Sequence, residues 1–370
     1  MLRCAQEQVS PVIDPIVTAA IESGVTPGAV LVAGDRMRDV LSRAFGSTHY
    51  EPDPDRTAVT AETIYDIASL TKPIATAAVL MRLCSAGSIH LSDAVAGIEG
   101  RGDITVRHLV GHAAGFPDHV RFYERLWDGD LAGKPTAREA LFEMARTVDR
   151  IYEPGVKTIY SDIGFILLGE HLERVTGRRL DALVREHVTE PLGLSATRFV
   201  DLDDPDNRIS GSVAPTERCP RRGLVCGEVH DENAHAAGGI CGHAGLFSTG
   251  ADVARFAREI CAAVRGEAAI FDRDTVTQFL STSAAPGTTR RLGWDTPSSA
   301  GVTHAGALWP RTGVGHLGFT GCSMWLDPPA GRYVVLLTNR VHPKRPETNA
   351  GIKNLRRAVM DAVVRELDGS

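Results

Sequence analysis

Lysine is scarce in this 370-residue chain, since only five of its 40 basic residues are lysines. They are Lys72, Lys134, Lys157, Lys344 and Lys353. Arginine cannot replace a lysine that has to give up a proton, because the guanidinium group stays protonated at working pH. A reaction that needs a titratable amine must therefore use one of these five side chains.

Paired cysteines, long apolar runs and basic stripes are also absent from the sequence. The seven cysteines are an odd number and none stands in a CxxC pair, which argues against a disulfide framework or a zinc knuckle. No stretch approaches 18 uninterrupted apolar residues, and the first residues lack the apolar segment of a signal peptide. The net charge is −6 and the basic residues are scattered. We therefore expect a cytoplasmic protein with reduced thiols that binds neither nucleic acid nor membranes.

Segments with the character of strands lie near both ends of the chain. Runs of apolar and β-branched residues predict strands over residues 29–33, 40–45, 323–326 and 333–338. A capped amphipathic helix is predicted after Ser10-Pro11, and a second amphipathic helix over residues 352–367. The two ends of the chain should therefore share one sheet, with helices packed against it.

Helical spacing dominates the middle of the chain, over residues 75–83, 137–144 and 163–175. We predict a helical lobe at about residues 68–284, inserted into an α/β lobe made of about 10–67 and 285–366. Together they form a single domain over residues 10–366. A cleft between the lobes is the natural place for a site.

A serine precedes a lysine by three residues in Ser69-Leu70-Thr71-Lys72. On a helix, side chains three residues apart share one face, so the hydroxyl and the amine come within hydrogen-bond reach. A helix that begins near Ser69 would favour an anionic serine oxygen and lower the pKa of Lys72. Of the five lysines, only Lys72 has a hydroxyl three positions earlier. This pair is the candidate nucleophile and its partner.

The segments around this pair resemble the family of class C β-lactamases, penicillin-binding-protein-like esterases and D-aminopeptidases. SxxK is the nucleophile motif of β-lactamases and penicillin-binding proteins. The resemblance runs from Pro27 to Arg340 through residues 66–72, 105–109, 112–116, 160–164, 242–249 and 315–321. It implies a serine hydrolase with a β-lactamase/transpeptidase-like α+β fold, in which an antiparallel sheet is flanked by helices and a helical lobe is inserted.

Tyr160-Ser161-Asp162 stands where this family has Tyr-x-Asn. The resemblance implies that Tyr160 takes the proton of Ser69 and later activates water, with Lys72 as the cation that favours the phenolate. Asp162 departs from the family pattern, because a carboxylate near Lys72 would hold the amine protonated and offers no amide donor to the substrate. A helix N-cap is an equally good interpretation of Asp162.

His316-Leu317-Gly318 stands where the family has Lys-Thr-Gly or His-Thr-Gly on a strand. The resemblance implies an oxyanion hole formed by the backbone N–H groups of Ser69 and Phe319, where the loss of one donor costs about 10²–10³ in rate. Gly318 would let the substrate approach the strand. His316 either positions the phenol or contacts the substrate, or else it is a surface histidine at the end of a strand.

Leu317 is the second departure from the family pattern. A threonine there would offer its hydroxyl to a substrate carboxylate, whereas leucine offers none. Acids of the penicillin kind should therefore be held less well, and short acyl esters or neutral amides become the favoured substrates.

Three histidines, His230, His235 and His243, follow one another near acidic residues, but their spacing matches neither HExxH nor a zinc finger. The glycine-rich residues 238–242 predict a loop that borders the cleft. We therefore expect neither a metal ion nor another cofactor. His342, Lys344 and Arg345 follow the last strand and are interpreted as a solvated basic turn. Trp294 either walls the acyl pocket or fills the core.

The sequence thus predicts a serine hydrolase that forms an acyl-enzyme at Ser69 and acts on a small-molecule ester or amide. An acyltransferase would use the same acyl-enzyme and pass the acyl group to an alcohol or an amine. The departures at Asp162 and Leu317 also allow a non-catalytic, penicillin-binding-like sensor. A metal-dependent hydrolase that uses the histidines at 230–243 is a further alternative.

Overall fold

The computed structural model describes residues 10–98, 103–129, 135–298 and 303–369. The strands are β1 (Gly28–Gly34), β2 (Asp39–Gly46), β3 (Tyr65–Asp66), β4 (Arg198–Phe199), β5 (Arg218–Cys219), β6 (Gly223–Leu224), β7 (Leu246–Ser248), β8 (Val314–Leu317), β9 (Ser323–Asp327) and β10 (Arg332–Thr338). The α-helices are α1 (Ile13–Glu22), α2 (Ala78–Ser85), α3 (Val106–Val110), α4 (Phe122–Asp128), α5 (Pro135–Arg146), α6 (Asp162–Thr176), α7 (Leu180–Val184), α8 (Glu190–Leu192), α9 (Glu232–Ala236), α10 (Gly250–Arg265), α11 (Arg273–Ser281) and α12 (Ala350–Asp368). A 3₁₀ turn at Ala68–Leu70 and π-helical turns at Lys72–Ala77 and Arg185–Thr189 complete the helical elements of the described residues.

Strands from both ends of the chain form one antiparallel sheet in the order β2-β1-β10-β9-β8. Its register places Ala29 opposite Thr338 where the first and last strands pair. The strands predicted from the apolar runs are confirmed, and so is the prediction that the two chain ends share one sheet. The shorter strands form a sheet in the order β3-β7-β4 and the pair β5-β6.

Every residue of β1 is buried, because the sheet is covered on both faces. Side chains alternate between the faces. Val30 and Val32 join the larger core, which contains the helical middle of the chain and α10. Ala29, Leu31 and Ala33 join a second core together with α1 and α12. Because β1 contributes side chains to both cores, all of its residues have to be apolar or small.

The first helix begins where the Ser10-Pro11 signal predicts. The backbone N–H of Ile13 donates to Ser10 Oγ at 2.9 Å, which satisfies one of the free donors at the start of α1. The Ser10 hydroxyl also donates to the carboxylate of Glu366 near the end of α12. The two terminal helices are therefore joined to each other as well as to the sheet.

The predicted helices of the middle segment are also found, as the helical turns at 72–85 and as α5 and α6. The helix α10 differs from the expected division into lobes. It falls within the segment 68–284, yet it packs against β1, β9 and β10. A helix with one strongly apolar face packs against a nearby open face of a sheet. The position of the helix along the sequence does not predict which face it covers.

The described cysteines are free: Cys84, Cys219, Cys226, Cys241, Cys261 and Cys322. Cys4 and Lys134 lie outside the described residues. Within the described ranges, no helix has both the length and the apolar character that crossing a membrane would require.

Arg356 connects α12 to the turn between β8 and β9. Its buried guanidinium donates to the carbonyl oxygens of Gly318 at 2.9 Å, Gly321 at 3.1 Å and Cys322 at 2.7 Å. These three carbonyl groups belong to the turn that follows His316-Leu317-Gly318. The position of that motif thus depends on a helix at the end of the chain.

We predict that Arg356→Leu lowers the free energy of unfolding by about 2 kcal/mol, because the carbonyl oxygen of Gly321 loses its described donor and those of Gly318 and Cys322 keep only a backbone donor each. Urea unfolding of the purified chain measures this loss. Arg185→Leu is the matched control, since Arg185 is 66% exposed in its ion pair with Glu190 and should change stability by less than about 0.5 kcal/mol. Equal urea midpoints for the two variants would contradict the proposed role of Arg356.

Candidate active site

Ser69 lies in the 3₁₀ turn that directly follows β3. The backbone N–H of Ala68 donates to Asp66 Oδ1 at 2.8 Å, and Thr71 Oγ1 donates to the carbonyl oxygen of Ala68 at 2.6 Å. Ala68 has a φ of 48°, a left-handed conformation that costs an alanine about 1–3 kcal/mol. The turn is therefore held in a sharp conformation by fixed hydrogen bonds, with Ser69 lining a cavity.

Asp66, for which no role was predicted from the sequence, stabilises this turn through the hydrogen bond from Ala68. Its other carboxylate oxygen accepts from the backbone N–H of His230 at 2.7 Å. Burial raises the pKa of Asp66 to about 6, against the lowering effect of the two backbone donors. The carboxylate thereby joins the turn around Ser69 to a loop that lies far away in the sequence.

Lys72 is completely buried and lies at the start of the π-helical turn Lys72–Ala77. Its Nζ donates to Ser69 Oγ at 3.0 Å, to Asp162 Oδ1 at 2.8 Å and to the carbonyl oxygen of His243 at 3.0 Å. An ammonium group has three hydrogens, so all of its donors are used. The arrangement fits the charged form of the lysine.

The ion pair with Asp162 sets the charge state of Lys72. Burial opposes the charge, but the Asp162 carboxylate and Tyr160 outweigh it, so the pKa of Lys72 is raised above its usual value. Burial likewise opposes the carboxylate, yet Lys72 and His119 hold the pKa of Asp162 well below its usual range. The expectation that the start of a helix lowers the pKa of Lys72 is wrong, because a carboxylate at 2.8 Å has the stronger effect.

Asp162 is the first residue of α6 and does not cap it. Ser161 is the N-cap, and its Oγ accepts from the backbone N–H of Gly164 at 3.4 Å. The Asp162 carboxylate is therefore free to pair with Lys72, and its second oxygen lies 3.5 Å from His119 Nδ1. The N-cap interpretation of Asp162 is wrong.

Tyr160 lies between two cations and two histidines. Lys72 Nζ is 4.9 Å and Arg290 Cζ is 4.8 Å from the centroid of its ring. The rings of His112 and His316 lie 4.6 Å and 5.8 Å away. Burial, assisted by the two cations, holds the pKa of both histidines well below the usual range, so they are neutral. The Tyr160 ring is thus flanked by two cations and by two neutral imidazole rings.

The sequence analysis assigned no role to His112, although it lies in a segment that carries the resemblance. Its Nδ1 accepts from the backbone N–H of Ser161 at 3.0 Å. This bond fixes the segment that carries Tyr160 and Asp162. His112 has a φ of 57°, so it shares the uncommon left-handed conformation of Ala68.

The end of β8 lies beside the turn that carries Ser69. His316 is 3% exposed, so its interpretation as a surface histidine is wrong. A Cβ atom on Gly318 would lie 2.6 Å from the carbonyl oxygen of Ile67. Glycine is therefore needed for the close approach of two backbone segments, in addition to any approach of a substrate. Among the described contacts, the backbone N–H of Phe319 has no acceptor, as an oxyanion donor requires.

The glycine-rich segment predicted to border the cleft supplies a second buried ion pair. His243 Nε2 lies 2.8 Å from Asp231 Oδ1. Burial opposes both charges, yet Asp231 raises the pKa of His243 well above its usual value and His243 holds that of Asp231 at about 2. Gly242 lets this segment reach α6, since a Cβ atom there would collide with the carbonyl oxygen of Phe165. Within the described residues, the histidines at 230–243 do not converge as metal ligands.

These groups surround a cavity of about 630 Å³, a size typical of small-molecule sites. Its lining includes every predicted site residue except the buried Lys72: Ser69, Tyr160, Asp162, His316, Gly318 and Phe319. Trp294 lies outside this lining and stacks on Phe256 in the core, with the ring centroids 6.4 Å apart.

The segment after β10 is more buried than expected. His342 is 3% exposed, and Arg345 forms ion pairs with Glu217 and Glu232, so the interpretation as a solvated turn fits only Lys344. Arg340, which precedes this turn, is 7% exposed and also lines the cavity.

Arg340 is a site residue that the sequence analysis missed. Its Nε donates to the carbonyl oxygen of Phe319 at 3.1 Å, and its guanidinium lies over the Phe319 ring at 5.4 Å. Its Nη1 is buried without a partner among the described residues.

The sequence of the chain is similar to those of known proteins. The sequence model of the family described as Beta-lactamase matches residues 13–357. A protein of Escherichia coli named "Putative D-alanyl-D-alanine carboxypeptidase" is 33% identical over 314 residues, which are 76% of this chain and 70% of the relative.

Two solved structures have a similar fold. EstCE1, a hydrolase with promiscuous acyltransferase activity, has a TM-score of 0.73 at 23% identity and covers 95% of this chain and 97% of its own. The octameric penicillin-binding protein homologue from Pyrococcus abyssi has a TM-score of 0.72 at 22% identity and covers 97% of this chain and 77% of its own. The predicted β-lactamase/transpeptidase-like α+β fold is confirmed.

We predict that Asp162→Asn moves the alkaline limb of the pH profile of kcat/KM to lower pH by at least about 1 unit. The substitution removes the carboxylate that raises the pKa of Lys72, so the ammonium loses its proton at a lower pH. Rates on a p-nitrophenyl acyl ester between about pH 7 and pH 12, corrected for spontaneous hydrolysis, measure the shift, since the pKa of Lys72 in the unmodified chain lies above its usual value of about 10.4.

Asp118→Asn is the matched control for this experiment, because Asp118 also lines the cavity while Lys72 pairs with Asp162. Its profile should coincide with that of the unmodified chain. Superimposed alkaline limbs for Asp162→Asn and the unmodified chain would show that Asp162 does not control Lys72.

Proposed function

This chain belongs to the beta-lactamase family, and from that premise we propose that it hydrolyses a small ester or amide through an acyl-enzyme formed at Ser69. Family membership supports the class of serine hydrolases and acyltransferases. The finer assignment rests on the contacts of Ser69, Lys72 and Tyr160.

The observation that carries the proposal is the 3.0 Å hydrogen bond from Lys72 Nζ to Ser69 Oγ. Because Lys72 is the donor, Ser69 is the acceptor and its own hydrogen points to another group. A lysine that is held charged by Asp162 cannot take that proton. The resemblance to this family implies that Tyr160, which lies beside Lys72 and Arg290, is the base, and we propose it in that role.

The reaction then has two halves. Ser69 Oγ attacks the carbonyl carbon while its proton passes to the Tyr160 phenolate, and the negative oxygen is held by the backbone N–H groups of Ser69 and Phe319. Tyr160 gives the proton to the leaving group as the bond to that group breaks, which leaves the acyl group on Ser69. Water then attacks the acyl carbon and gives a proton to Tyr160. The bond between the acyl carbon and Ser69 Oγ breaks, Tyr160 returns the proton to Ser69 Oγ, and the carboxylic acid leaves.

We predict that Ser69→Ala abolishes the hydrolysis of a p-nitrophenyl acyl ester, because no acyl-enzyme forms without the hydroxyl. Release of p-nitrophenol measures the rate. Ser85→Ala is the control, since the exposed Ser85 hydroxyl only donates to the carbonyl oxygen of Arg82 and its loss should leave the rate unchanged. An undiminished rate in Ser69→Ala would exclude this mechanism.

The alternatives are separated by the fate of the acyl group. The printed description of EstCE1 combines hydrolase and acyltransferase activities, so product analysis with and without an added alcohol belongs to the same experiment. An acyltransferase transfers most of the acyl group to the alcohol. A non-catalytic sensor stays acylated, and mass spectrometry of the intact chain detects the added mass.

A second candidate activity is the removal of a terminal D-alanine from a peptide, as the name of the Escherichia coli relative suggests. The observation that favours it is Arg340, whose buried Nη1 has no partner among the described residues and whose side chain lines the cavity. A guanidinium in that position suits a substrate carboxylate. Arg340 would then replace the hydroxyl that Leu317 lacks.

We predict that Arg340→Gln raises the KM for a peptide ending in D-alanyl-D-alanine by about 10–100-fold, the effect of losing a charge-assisted hydrogen bond. Loss of the hydrogen bond to Phe319 affects a neutral p-nitrophenyl ester and the peptide alike, so the KM for the ester should rise at least about 10-fold less than the KM for the peptide. Arg121→Gln is the control, because Arg121 lines the same cavity but is 69% exposed. Equal losses on both substrates would assign Arg340 a structural role only.

A further inference from the structure

Three potential metal ligands converge away from the cavity. His49 follows β2, Asp53 lies in the loop after it, and His342 follows β10. Each side chain offers one ligand atom, and these three atoms lie within 4.8 Å of one another. The two imidazole rings meet edge to face, with their centroids 4.8 Å apart. None of the three residues lines the cavity that contains Ser69.

Both histidines carry a buried ring nitrogen that has no hydrogen-bond partner in the described part of the chain. These atoms are Nε2 of His49 and Nδ1 of His342, on residues that are only 6% and 3% exposed. A buried polar atom without a partner costs free energy. A bound cation that accepts the lone pairs would remove this cost at both nitrogens together.

Hydrogen bonds from neighbouring residues orient the side chains of His49 and Asp53. Nδ1 of His49 lies 2.9 Å from Thr48 Oγ1, a contact that leaves Nε2 free for a metal ion. Asp53 Oδ2 accepts from Arg218 Nη2 at 2.7 Å, and Oδ1 accepts from the backbone N–H of Asp55 at 3.0 Å. Each carboxylate oxygen keeps a further lone pair. Hydrogen bonds of this kind orient the ligands of known metal sites.

We propose that His49, Asp53 and His342 bind one divalent transition-metal ion, Zn²⁺, and that water completes the coordination. Two imidazole nitrogens and one carboxylate oxygen form a ligand set that binds zinc in preference to magnesium or calcium, which favour oxygen ligands. Ligand atoms in a tetrahedral zinc site lie about 3.4 Å apart. The three ligand atoms lie within 4.8 Å of one another, so binding of the ion would draw them together by up to about 1.4 Å.

The ion would join two segments that already contact each other. Asn339 Nδ2 donates to the carbonyl oxygen of Thr48 at 2.8 Å. The backbone N–H of Arg218 donates to the carbonyl oxygen of Pro343 at 2.8 Å. The segment after β10 also carries Arg340, which holds Phe319 at the cavity. The proposed role is structural, because the ion would hold the segment after β10 against the loop after β2. This role does not depend on the reaction that the cavity supports.

The test uses the full chain after removal of metals with a chelator. One molar equivalent of Zn²⁺ should remain after equilibration and desalting, and the thermal midpoint should rise by about 3 °C at 100-fold excess over Kd. Mg²⁺ and Ca²⁺ should leave the midpoint unchanged. Co²⁺ should give visible absorption bands typical of a tetrahedral site.

His49→Gln and His342→Gln should each lose the bound equivalent and the rise in thermal midpoint. His90→Gln is the matched control, because the His90 side chain is 68% exposed beside Asp93 and its loss should change neither measurement. The unmodified chain decides the question even if both variants fail to fold. Less than about 0.2 equivalents of zinc in that chain, or full binding by either variant, would overturn the proposal.

Discussion

The buried ammonium of Lys72 is the constraint on which the site depends. A charge removed from water costs several kcal/mol unless partners surround it. Its three acceptors come from three separate segments: the turn of Ser69, the start of α6 at Asp162, and the glycine-rich segment at His243. Any movement of one segment would leave a buried donor unpaired. The same contacts that stabilise Lys72 therefore fix the positions of Ser69, the proposed nucleophile, and of its neighbours.

The carboxylate at position 162 changes the electrostatics of this arrangement. Where the resembling enzymes carry an amide, Asp162 brings a negative charge that holds Lys72 protonated. A second pair is formed by Asp231 and His243, the residue whose carbonyl oxygen accepts from Lys72. His119 adds a contact to the second carboxylate oxygen of Asp162. Groups of opposite charge are thus paired near Ser69, which allows several ionised groups to share a poorly solvated space.

The opposite wall of the cavity is fixed by packing rather than by charge. Gly318 brings the end of β8 against the carbonyl oxygen of Ile67, and Arg356 holds the turn that follows. Arg340 donates to the carbonyl oxygen of Phe319 in this turn. The sheet and α12 therefore set the distance between the backbone segments of Ser69 and Phe319, whose N–H groups are the proposed oxyanion donors.

Local signals predicted the strands at both chain ends from alternation and apolar runs, and helical spacing predicted the contact between Ser69 and Lys72, which lie three residues apart. Folding brings α10 onto the sheet and pairs Asp162 with Lys72, a residue 90 positions away, so that Asp162 does not cap its helix. The meeting of His49 with His342 is of the same kind. Charge state and ligand geometry depend on burial and on distances in space, and a local pattern of residues contains neither.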